Sequence, residues 1–332
     1  MSGLIMSMSS EQDSHHLASN LSVSEVVDRL EVMHQQESTT YKCRDYINDG
    51  DEDTCSYPVT FNRGPQNERD MPVDRDCRVK MCEWCYQVTD FCKFKRETVA
   101  IAMSYLDRFL STTRPRAHKA LHDRKEYQLA AMTSLYIAIK LFEPVAMDAE
   151  LLSTISHGCY TESDIVDMEQ EILTALSWRV NGPTAHDFLS HIISLLPSSA
   201  HKYDDTVAMT LLDFSRFQVE IAVCDYDLAL QKPSVVALAS ILNSVESIDE
   251  KLFSRRSQFD FFQCVARVTG LDPFSKGINV VRARLLDLFE HNSGYSLPQI
   301  AVFSPIVSTT SRISKMSTPA SPVSVQYFPR CA

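Results

Sequence analysis

Two stretches carry residue types at spacings that could do chemistry. Cys82-Glu-Trp-Cys85 sets two thiols three residues apart, with Cys77 and Cys92 nearby in the chain, and invites a zinc site. Zinc needs four converging ligands. On a helix these two thiols share an i, i+3 face that must also carry Trp84 into a core, so they are read as structural, with no metal or other cofactor expected. The second stretch is Glu126 to Glu143, EYQLAAMTSLYIAIKLFE, in which Lys140 lies within an apolar run. An ammonium group cannot stay buried without a partner. Lys140 must therefore surface at a helix end, pair with a carboxylate, or await another molecule. The chain holds no Ser/His/Asp cluster, Walker loop, kinase signature or nucleophile elbow, and no enzyme is expected. His15-His16 reads as a solvated pair. Ser304, Thr318 and Ser321 each precede a proline, the minimal site for a proline-directed kinase, where phosphate would add charge and acceptor oxygens.

The elements that must position these residues are helices. Gly is only 8 of 332 residues, against the usual ~7%, which is hard to reconcile with Gly-rich phosphate loops, tight hairpins or a barrel. The 126–143 stretch is apolar or small on every side, as a helix inside a bundle or a bilayer would be. Gln128, Thr133, Ser134 and Lys140 interrupt it, so it falls short of the roughly 20 apolar residues of a membrane span. It reads as the central helix of an all-α protein, its alanines letting neighbours approach closely. A net charge of −11 and a pI near 5.4 argue against a chain built to hold nucleic acid backbone. Ten cysteines behind a polar N-terminus read as reduced thiols, placing the chain in the cytosol or nucleus.

Residues 1–23 are Ser-rich and expected to be disordered. Ser24 is the expected cap of an amphipathic helix in 24–47 that carries Val26, Val27, Leu30 and Met33 at helical spacing. Residues 48–76 form an acidic linker, read as a solvated connector. Helical patterns then follow at 79–91, 99–110, 126–143, 149–156 and 162–176, the last with Thr161 as cap; 112–125 between them reads as a long basic loop. Asn181-Gly-Pro183 ends this unit. A second set runs through 184–196, 204–223, 235–245, 259–268 and 278–289, with Pro233 at a first turn. The expected architecture is two consecutive bundles of about five helices, 77–182 and 183–290, each with an Ala-rich apolar helix in third place. The Ser/Thr/Pro tail, 291–332, is expected to be disordered.

The first bundle resembles the cyclins, regulatory subunits of cyclin-dependent protein kinases. The resemblance rests on Arg78-Val-Lys-Met-Cys-Glu-Trp84, Ala102-Met-Ser-Tyr-Leu-Asp-Arg-Phe-Leu-Ser111, Ala138-Ile-Lys-Leu-Phe-Glu143, Asp167-Met-Glu-Gln-Glu-Ile-Leu173 leading to Trp178, and Pro183-Thr184. The second half is matched mainly by helix pattern and Lys232-Pro-Ser234. The resemblance implies two tandem cyclin-fold bundles and a structural ion pair between Arg78 and Asp107. It implies that Lys140 and Glu169 form the face that grips the kinase, with Ile137, Leu141, Leu173 and Trp178 as apolar surround. A Lys and a Glu at one rim offer a donor and an acceptor suited to backbone carbonyls and amides of an incoming segment.

It further implies a patch for substrate or inhibitor docking peptides at Met81, Trp84, Gln87 and Gln128. Cys77 and Lys80 stand where other members carry larger apolar residues, and Arg114, Arg116, His118, Lys119 and Arg124 make the neighbouring loop basic. A narrower, partly cationic groove is the expectation, with Trp84 more a core residue than a contact. The function implied is binding and activation of a kinase in cell-cycle control, in nucleus and cytoplasm, with no membrane partner. The alternative is a transcription factor of the general-initiation type, with the same duplicated fold, holding promoter DNA. It would want a basic face and often a zinc ribbon, against which the acidic pI and the lone Cys43 and Cys55 speak.

Overall fold

The computed structural model describes residues 21–48, 72–145, 147–196 and 206–292. Among the described residues there are thirteen helices and no strand. Residues 1–20 and 293–332 of the two expected end segments, most of the acidic linker, His15-His16, Cys55, Ser304, Thr318 and Ser321 lie outside them, whereas Val23 and His291–Asn292, expected in those segments, are helical.

The chain divides into two compact units, the first containing Lys42–Gly182 with Glu220–Leu230, the second Pro183–Val219 and Gln231–Leu286 together with the N-terminal helix. In the first unit α2 (Arg75–Cys92), α3 (Glu97–Leu110), α4 (Pro115–His122), α5 (Arg124–Phe142), α6 (Ala149–Ile155) and α7 (Glu162–Ala175) pack around α5, which touches each of the other five. Every residue of α5 from Glu126 to Ile139 is buried. That is what an all-round apolar helix must do, and Ala130, Ala131 and Ala138 leave room for close neighbours.

Local signals explain the helix ends. Asp74 accepts from Cys77 N and opens α2, and Asp123 accepts from Lys125 N and Glu126 N at the start of α5. Thr161 closes a capping box with Asp164 at α7. The basic stretch expected as a loop contains helix α4 instead: Pro115 occupies its first turn, and Ala117 and Ala120, three apart, are buried beneath it.

Arg78 and Asp107 meet in the interior of this unit. Nε and Nη2 of Arg78 donate to the two carboxylate oxygens at 3.0 and 2.8 Å, with side chains 1% and 6% exposed. Tyr46 Oη donates to Asp107 at 2.7 Å, and Arg78 Nη1 donates to the Val223 carbonyl at 2.7 Å.

In the second unit the N-terminal helix α1 (Val23–Ser38) packs against α8 (Ala185–Ile193) and α12 (Arg255–Thr269). Its cap is Ser22 rather than Ser24, because Glu25 then falls three residues on and completes the reciprocal capping box. Val26 and Leu30 are buried, worth about 1.5–3 kcal/mol apiece. The helix is also pinned by charge. Glu37, 4% exposed, accepts from Ser234 N at 3.0 Å and Ser234 Oγ at 2.6 Å, at the first turn of α11 (Pro233–Glu246). His34 hydrogen-bonds the same carboxylate at 2.9 Å, its ring 5.0 Å from Phe188. An anion at the positive end of α11 is where a helix dipole favours it. α11 repeats the theme of α5, burying Ser234 and all residues from Val236 to Val245. The remaining helices are α9 (Thr206–Cys224), α10 (Tyr226–Ala229) and α13 (Lys276–Asn292).

Two stability measurements check this account. Arg78→Ala or Asp107→Ala should each cost about 3–5 kcal/mol in denaturant unfolding, since either leaves an uncompensated buried charge. The double variant should cost much less than the sum. Glu37→Ala should cost about 1–3 kcal/mol by orphaning the Ser234 donors, and should make α1 the first site of limited proteolysis.

Candidate functional site

Lys140 is the first residue of α5 to leave the interior. Fourteen residues of buried helix precede it without a break from Glu126 to Ile139, and its own side chain is 49% exposed. Nζ donates to Glu169 Oε1 at 3.0 Å and lies 5.4 Å from the centre of the Tyr136 ring. The hydrogen bond to Glu169 raises the lysine pKa above its ordinary value, so the ammonium form is secure at any physiological pH. Glu169 sits on α7 and is 13% exposed on its side chain. Two of the three fates open to Lys140 in the sequence are thus realised together: it surfaces at a helix end, and it pairs.

The apolar residues expected around the pair divide sharply. Ile137 and Leu173 are buried, at 1% and 9% exposure, and hold α5 and α7 in place instead of facing outward. Leu141 and Trp178 are exposed, at 49% and 68%. Three further residues, missed in the sequence, are also exposed: Phe142 and Val145 just beyond Lys140, and Val166, three residues before Glu169 on the same face of α7. The available signal was apolar residues persisting past the end of α5 and at i−3 from the glutamate. Scattered exposed apolar side chains are ordinary; several on the two helix segments that flank one ion pair are less so.

Trp178 is presented by a strained turn. The Ser177 N–H donates to Thr174 O and the Trp178 N–H to Leu173 O, the pair of bonds that closes a helix in a Schellman motif. Such a turn ordinarily uses glycine at its left-handed residue. Here Ser177 and Trp178 both take positive φ, 52° and 59°, at roughly 1–2 kcal/mol each. Backbone strain that persists beside exposed aromatic surface is a pointer to function.

The docking patch fares differently. Met81 and Trp84 are fully buried and Gln128 is 2% exposed, its side chain accepting from Tyr160 Oη at 3.1 Å. These three residues present no surface on which a peptide could dock; of the four expected, Gln87 alone is exposed. The reason is that α2 packs on both α3 and α5, leaving its Met81–Trp84 face inside. The cations of the basic stretch are also largely engaged by this unit's own carboxylates. Arg116 and Lys119 pair with Glu126 at 2.7 and 2.8 Å, and Arg124 pairs with Asp74 at 3.0 Å. Burial pushes the Glu126 carboxyl up, but the bonds from Lys119 and Arg116 outweigh it and hold the group below its ordinary value. A cavity of about 550 Å³ beside them mixes Arg116, Lys119 and Lys125 with Glu126 and Asp164, so it is not a cationic groove.

Cys82 and Cys85 are buried side by side on α2 with free thiols. Among the described residues no group of three His, Cys, Asp or Glu side chains is placed to hold a metal ion.

Residues 28–181, which contain the Arg78–Asp107 and Lys140–Glu169 pairs, match the family model of the cyclin N-terminal domain. Those residues carry a cyclin N-terminal domain. Among similar curated proteins is the G1/S-specific cyclin-D1 of Mus musculus, 25% identical over 60% of this chain and 62% of the relative. Another is the G1/S-specific cyclin-D2 of Rattus norvegicus, 29% identical over 49% of this chain and 53% of the relative. This chain thus spans somewhat over half the length of each. A solved structure, that of a viral cyclin from herpesvirus saimiri, superposes with a TM-score of 0.54 over 80% of this chain and 99% of the other at 17% identity. That likeness is one of fold.

Relieving the strain at the α7 turn should stabilise the protein. Ser177 is exposed, so glycine there uncovers no core. Ser177→Gly should therefore raise the unfolding free energy by about 1 kcal/mol, read from the denaturation midpoint; no gain would mean the turn is unstrained.

Proposed function

We propose that this protein, as a cyclin, binds and activates a cyclin-dependent serine/threonine protein kinase through the rim that carries Lys140 and Glu169, without chemistry of its own. The observation that carries the reading is an ion pair whose lysine is left half in solvent at the end of the first unit's central helix, among exposed Leu141, Phe142, Val145, Val166 and Trp178. Lys140 has donors beyond the one given to Glu169, and a carboxylate accepts more than one bond. The pair can therefore engage backbone groups of a partner without first being broken. The exposed aromatic and aliphatic side chains supply the desolvated centre that protein interfaces need.

Activation follows from rigidity. A bundle docked beside the kinase's mobile helix αC favours the conformer in which the catalytic Lys to Glu ion pair is complete and the activation loop is freed. The coupling is the difference in affinity for the two kinase conformers. The G1/S-specific names of the similar cyclins support a role in cell division, with the protein acting in nucleus and cytoplasm. Substrate selection by a docking peptide is left to Gln87 and residues around it, since Met81, Trp84 and Gln128 are interior.

Two sets of variants separate a handle from a merely internal salt bridge. Lys140→Ala with Glu169→Ala should cut kinase recovery in a pull-down from dividing cells by about tenfold or more, the scale of 1.4 kcal/mol, with helical content by circular dichroism unchanged. The charge swap Lys140→Glu with Glu169→Lys restores the internal bridge and should still fail to recover kinase. Full recovery by the swapped protein would assign the pair to scaffold and overturn the reading.

A further inference from the structure

Within the first unit, two thiols that kinase binding does not use stand close together. Cys82 on α2 and Cys224 at the end of α9 lie 142 residues apart in sequence, and their sulfur atoms share a hydrogen bond at 3.0 Å. That is about 1 Å beyond the ~2.05 Å of a disulfide bond. The backbones that carry them are clamped to each other. Arg78 Nη1 donates to Val223 O at 2.7 Å, Tyr86 Oη donates to Glu220 O at 3.0 Å, and Arg96 Nε donates to the Glu220 carboxylate at 2.7 Å. The two sulfurs are held within reach by these three hydrogen bonds, not by the meeting of two free loops.

We infer that Cys82 and Cys224 form a reversible disulfide when the protein meets a peroxide. Cys224 is half-buried and reachable by so small an oxidant, whereas Cys82 is fully buried beside it. The roles divide accordingly. The Cys224 sulfur attacks one peroxide oxygen, the O–O bond breaks, and the departing hydroxide takes a proton to leave as water, giving a sulfenic acid on Cys224. The Cys82 sulfur then attacks that sulfur and the S–O bond breaks. The hydroxide released takes the Cys82 proton, and a second water leaves. Two thiols lose two electrons and one hydrogen peroxide becomes two waters. The hydrogen bond it shares with Cys82 holds the Cys224 thiol below its ordinary range, while burial pushes Cys82 well above its own, which favours the same order of attack. The neighbouring Cys85 thiol is raised by burial too.

The bond would fasten α2 to the end of α9 one helical turn from Arg78. Closing so long a span of chain restricts the unfolded state, so the oxidised protein should be harder to unfold.

The test uses the full chain. It is treated with hydrogen peroxide, capped at its remaining thiols with iodoacetamide, digested without reductant and mapped by mass spectrometry. The expected product joins the peptide holding Cys82, Cys85 and Cys92 to the peptide holding Cys224, and fragment ions place the link at Cys82. Reductant should abolish it. The melting temperature should rise by several degrees on oxidation and return on reduction, and Cys224→Ser should show neither the link nor the rise, while Cys85→Ser shows both. A link to Cys85 instead, or Cys224 recovered as capped thiol or sulfinic acid with no link, overturns the proposal; mapping the wild-type chain keeps this decision independent of whether any variant folds.

Discussion

One buried charge pair holds the first unit together. Arg78 and Asp107 lie in the interior where each alone would be very costly, and the pair persists because its geometry is bidentate and its remaining bonding capacity is taken up. Tyr46 donates to the carboxylate and the Val223 carbonyl accepts the outlying guanidinium N–H. Through one ion pair α2 and α3 are thus joined to each other, to the segment before the linker and to the Glu220–Leu230 segment. The Tyr226 ring stands 5.9 Å from the guanidinium carbon and meets Tyr46 edge-on at 5.2 Å. An apolar contact can slide; a fork of two parallel bonds to one carboxylate cannot, and so it sets how α2 crosses α3.

With α2 and α3 set, α5 has one way to lie. Its apolar circumference must be covered on all sides, and it is, by five helices. Beyond that buried run its last turn escapes, and the residue that escapes first is a lysine. The contrast between Arg78 and Lys140 is chemical: the planar guanidinium is matched atom for atom inside the bundle, while the ammonium, a compact and strongly hydrated charge, keeps half its surface in water beside Glu169. The same unit therefore carries one ion pair that is wholly structural and one whose bonding capacity is not exhausted by its own chain.

Much of this was legible in the primary structure. The apolar run of 126–143, the cap at Thr161 and the Pro at 233 predicted helices where they stand, because these signals are local and act through nearest neighbours. Misreadings arose where two local signals competed. Ser24 stood nearer the apolar periodicity, but Ser22 had Glu25 three residues on and won the cap. The basic stretch was rich in charge and read as a loop, yet a proline at its start and two alanines three apart sufficed for a helix over the core. Its cations were read as facing a partner; Arg116 and Lys119 instead face Glu126, because the fold returns α5 beneath α4.

The sequence by itself determined the class of the fold, the residues of its central helix, and the problem posed by Lys140, since periodicity and the cost of burying charge need no coordinates. Only the tertiary structure decided which members of each expected cluster see solvent. Ile137 and Leu141 are one turn apart on the same helix and have the same chemistry, but one faces the packed interior and the other the rim. Met81 lost its expected surface for the same reason, while Trp84 is the core residue that was expected. Exposure depends on what other elements of the chain come to cover a side chain, and residues far apart in sequence, such as Cys82 and Cys224, are made neighbours by that packing alone.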